Sequence, residues 1–160
     1  MSDKNQKQMA TNNETRKHIQ NVGMFIIAIT NLLFKRALNH DATKLEDPEL
    51  QLFTIYTEKL SGCTYGSEEY SEFLKQLKPA LDHHYSKNRH HPEHFPNGID
   101  DMTLVDLMEM ICDWKAATLR HNDGNILKSI EHNTKRFNID PQLSKILKNT
   151  VELFEHVDCS

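Results

Sequence analysis

The 160-residue sequence predicts an all-α fold, a single compact helical domain, and two observations carry that expectation. Apolar residues recur at the i, i+3, i+4, i+7 spacing of amphipathic helices through most of the chain. Strand signals are nearly absent: there is no sustained alternation, Val and Thr rarely cluster, and no Asn-Gly turn joins two apolar runs. The length suits one domain with a real core, and no internal repeat is visible.

Residues 1–12 (MSDKNQKQMATN) are polar and predict a flexible N-terminal tail ahead of a domain over residues 13–160. From Asn13 to about Leu38, Ile19, Val22, Phe25, Ile26, Ile29, Leu32 and Leu33 mark a helix with one wide buried face. His18 lies on that face, one turn before Val22. The apolar run from Val22 to Leu33 contains Thr30 and Asn31, and falls short of the roughly 20 residues that span a bilayer. The long polar stretch before it, with Asp3 and Glu14, does not read as a signal peptide. A second helix is expected from Pro48 to about Leu60, capped by Asp47 and broken by Ser61-Gly62. A third begins near Ser67 and runs through Phe73, Leu74, Leu77 and Leu81 toward Tyr85, with Pro79 expected to kink or divide it.

Residues 86–100 (SKNRHHPEHFPNGID) hold two prolines, a glycine and three histidines, and predict irregular structure. Thr103 with Asp106 three residues on can cap a helix that carries Leu104, Leu107, Met108, Ile111 and Trp114 to about Leu119. Helices at roughly 125–137 and 141–157, separated by Asn138-Ile139-Asp140-Pro141, complete the chain. Their apolar face (Ile126, Leu127, Ile130, Leu143, Ile146, Leu147, Val151, Leu153, Phe154) either closes the core or forms a homodimer contact. Trp114, Met102, Met108 and Met110 read as core rather than as a base-stacking platform.

With 38% hydrophobic and 26% charged residues, the composition excludes a disordered chain and a membrane protein. Lys and Arg number 19 against 23 Asp and Glu, a net charge of -4 and a pI near 6.2, so the basic surplus that nucleic-acid binding needs is missing. Cys63, Cys112 and Cys159 are odd in number, far apart and in no CxxC spacing, which argues against a disulfide framework and against cysteine-bound zinc. A reducing, cytoplasmic location is the expectation.

Ten histidines are the abnormal count; His121, His132 and His156 show no pattern, but the other seven are ordered. His18 is followed by His40-Asp41, His83-His84, His90-His91 and His94, with Asp113 on the next helix. Imidazoles and carboxylates together ligate divalent metals without any cysteine. Asp106, Glu109 and Asp113 share one helix face by i+3 and i+4 spacing. Taken singly, His18 reads as a boundary histidine, Asp41 as a turn cap, and the three carboxylates as a solvated face. Their joint order is what points to a metal.

That order resembles the HD-domain superfamily of metal-dependent phosphohydrolases, all-helical proteins named for a His-Asp pair. The positions that match its motif are His18, His40, Asp41 and Asp113, and His40-Asp41-Ala42-Thr43-Lys44 is similar to the His-Asp-x-x-Lys form of members with two metals. The resemblance implies His84, His90 and His91 as the remaining metal ligands, with Asp41 bridging two ions. The run ALDHHYSKNRHHPEHF followed by DMTLVDLMEMICDWKAAT also looks like an uncharacterised family of small phage and bacterial proteins near the HD group, so the compartment would be the host cytoplasm if the chain is phage-encoded.

The expectation is a metal-dependent phosphohydrolase acting on a nucleotide or related small phosphorylated metabolite, with one or two divalent ions (Mn, Fe, Zn, Ni, Co or Mg) that activate water. Lys44 is expected to hold a substrate phosphate, Glu93 to move a proton (with Glu69 and Glu109 as other candidates), and Asn88, Arg89 and His94 to contact substrate. The alternative is a non-catalytic HD-like protein that binds a nucleotide or regulates a partner. No membrane or nucleic-acid partner is expected.

Overall fold

The structure, a computed structural model, describes residues 3–61, 68–119 and 124–156. Six α-helices and four short 3-10 turns make up the described residues, with no strand among them, so the all-α class holds. Ser67, Gly62, Cys63, Cys159 and His121 lie outside the described residues. The chain divides into two compact units, Met1–Leu38 and Asn39–Ser160.

The first unit is one helix, α1, which spans Asp3–Asn39 and runs on into the second unit by a single residue. It begins ahead of the expected start at Asn13, because Lys4, Gln6, Lys7, Gln8, Met9 and Ala10 are good helix formers. Thr11, Thr15 and Thr30 return their hydroxyls to the carbonyls of Lys7, Thr11 and Ile26. Ile19, Val22, Phe25, Ile26, Ile29 and Leu32 lie along the apolar face of this helix. A lone helix has nothing within its own unit to cover such a face. By length and composition α1 could cross a membrane, a test that core helices of soluble proteins and N-terminal signal sequences also pass.

In the second unit, α2 (Glu49–Ser61) packs along α3 (Glu68–Lys87). Pro79 lies inside α3 and does not divide it. Leu77 and Ala80 are buried on either side of it, and their packing holds the helix together despite the missing N–H. The expected irregular segment contains two 3-10 turns, Pro92–His94 and Gly98–Asp101.

Three further helices, α4 (Leu104–Thr118), α5 (Ile126–Arg136) and α6 (Pro141–Val151), pack together over Met110, Ile111, Ile130, Ile139, Leu147 and Val151. Ile126, Ile130, Leu143, Leu147, Val151 and Phe154 of the expected apolar face join this core, whereas Leu127, Ile146 and Leu153 are exposed, and Trp114 stacks on Phe137 at the core's edge. Local chemistry sets the ends of these helices. Asn125 and Asp140 accept the N–H of Lys128 and Gln142 as N-caps, with Pro141 in the first turn of α6. Asn138 adopts a left-handed φ of 50°, which lets Ile139 donate back to Thr134 and end α5.

The capping box expected at Thr103 and Asp106 is present, and it carries more than a cap. Asp106 is buried, accepts from the Thr103 N–H and hydroxyl, and takes both Nε and Nη2 of Arg89 at 3.1 Å. This ties the loop before α4 to its first turn. Asp106→Ala is expected to lower stability by about 2–3 kcal/mol, from the lost cap and the donors left without an acceptor. The midpoint of urea unfolding measures it, and a loss below about 0.5 kcal/mol would contradict this role.

Candidate metal centre

His40 and Asp41 sit in the turn after α1, just ahead of the 3-10 turn Ala42–Leu45. Asp41 holds a left-handed φ of 54°, an uncommon conformation for a residue with a side chain. The Lys44 N–H closes the turn on the Asp41 carbonyl at 2.9 Å. His84 comes from the last turn of α3, and His90 and His91 from the loop beyond it, which is folded back by the Asn88 N–H on the His84 carbonyl. Glu109 and Asp113 project from α4, one turn apart.

These residues converge. Asp41 Oδ1 lies 3.3 Å from His84 Nε2 and 3.4 Å from His90 Nε2, and the Nε2 atoms of His84 and His91 are 2.9 Å apart. On the other side, His40 Nε2 stands 3.6 Å from both Asp41 Oδ2 and Asp113 Oδ1. The two carboxylate oxygens of Asp41 thus face two groups of ligand atoms: His84, His90 and His91 in one, His40 and Asp113 in the other.

The fit to a cation rests on two features. Among the described residues, Asp41 Oδ1 and His90 Nε2 are buried and find no hydrogen-bond partner, which is costly unless something else satisfies them. In addition, ligand atoms held about 2.1 Å from an ion stand about 3.4 Å apart in a tetrahedron and about 3.0 Å apart in an octahedron, and the separations here match.

Two carboxylates stand behind the imidazoles. Glu49, fully buried, accepts from Nδ1 of His83 at 2.7 Å, Nδ1 of His84 at 2.8 Å and the Thr43 hydroxyl at 3.0 Å. Glu109 Oε1 accepts from Nδ1 of His40 at 2.9 Å and lies 3.2 Å from Nδ1 of His90. With the inner nitrogens donating, the Nε2 lone pairs of His84, His90 and His40 point at Asp41, the arrangement that carboxylate–histidine–metal sites use.

The electrostatics follow from this crowding. Hydrogen bonding to Asp113 and then Glu109 raises the His40 imidazole to about 10, against the effect of burial. Burial pushes the Asp41 carboxyl up, but His84, His90 and Lys44 outweigh it and hold it well below the usual carboxylate range. Burial followed by the positive charges of His90 and His84 lowers His91 to about 3, which leaves it a neutral ligand.

Of the residues expected from sequence, the structure brings together His40, Asp41, His84, His90, His91 and Asp113, with Lys44 Nζ 2.6 Å from Asp41 Oδ2. His18 lies on α1 in the first unit, with its side chain exposed. Glu93 pairs with Arg136 at 2.7 Å, outside these groups. Arg89 is bound to Asp106 and covers the Phe95 ring, Asn88 donates to Thr43 and to the His84 carbonyl, and His94 donates to the Tyr85 carbonyl. Glu49 escaped the sequence reading, because an acid in a first helical turn already has an ordinary role there.

No curated protein and no solved structure matches the chain. A family model does, across residues 7–153, from α1 past the end of α6 and including every ligand candidate above. The chain therefore belongs to that family, described as Family of unknown function (DUF5662).

Proposed function

We propose that the chain is a metal-dependent phosphohydrolase acting on a nucleotide or a related small phosphorylated metabolite. The observation that carries this reading is Asp41, whose two oxygens face two ligand groups while the Lys44 ammonium sits beside one of them. A divalent cation held there supplies Lewis-acid polarisation of a phosphoryl oxygen and acidifies water. The chain's own residues do the rest. His84, His90 and His91 offer imidazole Nε2 ligand atoms, Asp41 and Asp113 supply the negative charge that retains a cation, and Glu49 and Glu109 fix the rings. Lys44 is partly exposed, and its flexible ammonium can contact a substrate phosphate. The net charge of -4 favours a small phosphorylated ligand over a polyanion, and the likeness of His40-Asp41 and its partners to the HD superfamily supports hydrolysis.

The test is phosphate release from a nucleotide panel in the presence of Mn²⁺, with and without chelator. EDTA treatment and His40→Ala are each expected to lower release at least about 100-fold. Undiminished turnover by the chelated protein would contradict the proposal. Tight nucleotide binding in calorimetry with no product over hours would replace it with the non-catalytic reading.

A further inference from the structure

Glu109 stands at a junction that the ligand groups alone do not explain. One of its oxygens, Oε1, is shared by two histidines from separate parts of the chain: His40 from the turn after α1 and His90 from the loop after α3. The two rings are 4.5 Å apart between centroids, and each turns Nδ1 toward Glu109 and Nε2 toward Asp41. Yet they serve different ligand groups, His40 with Asp113 and His90 with His84 and His91.

We propose that Glu109 is a positioning residue common to two ion sites, holding one ring of each through a single oxygen, so that its removal weakens both sites together. This rests on the metal-centre reading above. A carboxylate only accepts hydrogen bonds, so both Nδ1 atoms donate to it and both Nε2 lone pairs are committed to the Asp41 side. Glu109 lies on α4, whose next residue, Met110, is fully buried in the core, so the acceptor has a fixed position. Removing it frees both rings together. Loss of Asp113 disturbs only the His40 group, and loss of His91 only the other. A competing arrangement exists in the same side chains, because Glu109 could itself ligate an ion together with His40 and His90.

Calorimetry with Mn²⁺ or Zn²⁺ on Glu109→Gln, Glu109→Leu, Asp113→Asn and wild type separates these roles, together with long-range ¹⁵N–¹H spectra of the histidine tautomers. Glu109→Gln retains a carbonyl acceptor and is expected to keep both ions within about threefold of wild-type affinity. Glu109→Leu is expected to weaken both ions by about 10–100-fold, and Asp113→Asn only one. In the ion-loaded wild type, His40 and His90 should each carry the proton on Nδ1. Loss of an ion in Glu109→Gln as complete as in Glu109→Leu would make Glu109 a ligand and overturn the proposal. Wild-type affinity in Glu109→Leu, or an Nε2–H tautomer at either ring, would also overturn it. The wild-type tautomers decide the matter even if Glu109→Leu does not fold. If the wild type takes up no ion, the metal centre itself fails. If it takes up ions without hydrolysing any phosphate, only the enzymatic reading fails and the Glu109 proposal stands or falls on the binding data.

Discussion

Asp41→Asn is expected to abolish divalent-ion binding at both ligand groups while leaving the fold in place. The two oxygens of the carboxylate face different neighbours, Oδ1 the Nε2 atoms of His84 and His90, and Oδ2 the His40 Nε2 and the Lys44 Nζ. Among the described residues, Asp41 is common to the group with His84, His90 and His91 and to the group with His40 and Asp113. Asparagine is the fitting replacement, because it tolerates the left-handed backbone at φ 54° and nearly preserves the volume. The effect is therefore chemical: an amide carries no charge, and its nitrogen cannot ligate. Ion affinity should fall at least about 100-fold, more than substitutions behind a ligand usually cause, with a circular dichroism spectrum close to wild type. Near-wild-type affinity in calorimetry would show that the ion, if any, binds elsewhere.

Glu49→Ala is expected to have the second large effect, lowering stability and ion affinity at once. The carboxylate is fully buried and accepts from His83, His84 and Thr43, so its removal leaves donors unpaired in the interior and a void beside them. A loss of about 3–5 kcal/mol is expected, the scale for breaking a buried charged network from one side. Ion affinity should drop by about 10–100-fold, because the His84 ring loses the acceptor that aims its Nε2. Glu49→Gln separates the two effects: it keeps an acceptor and the volume, and should recover most of the affinity. Urea unfolding and calorimetry on the pair measure both. A destabilisation below about 1 kcal/mol in Glu49→Ala would contradict the role given to Glu49.

The residues that sequence could and could not identify divide along physical lines. Asp106 and Thr103 were legible because a capping box is local, readable from a three-residue spacing. His40, Asp41, His84, His90, His91 and Asp113 were legible as a set because metal ligation restricts residue type so strongly that their order carries information even without coordinates. Glu49 and Glu109 were harder. Their function depends on a partner 35 and 69 residues away in sequence, and nothing in the local pattern distinguishes a buried orienting carboxylate from a helix-start acid or a solvated face. Arg89 and Asn88 show the converse. Polar side chains in a histidine-rich loop suggest substrate contact, but in the structure they hold the loop itself, one on Asp106 and the other on Thr43 and the His84 carbonyl. Pro79 and α1 mark the limits of periodicity. Tertiary packing carries a helix through a proline, and a 3.6-residue apolar repeat shows which face of α1 is apolar without showing what covers it.

Anomalous diffraction from crystals grown with saturating Mn²⁺ or Zn²⁺ tests the metal centre most directly. One peak is expected among Asp41 Oδ1 and the Nε2 atoms of His84, His90 and His91, at ligand distances of about 2.0–2.3 Å, and a second beside His40, Asp41 Oδ2 and Asp113. A cluster without any peak at saturating ion, or a peak on the Nδ1 side of His40 and His90 against Glu109, would contradict it.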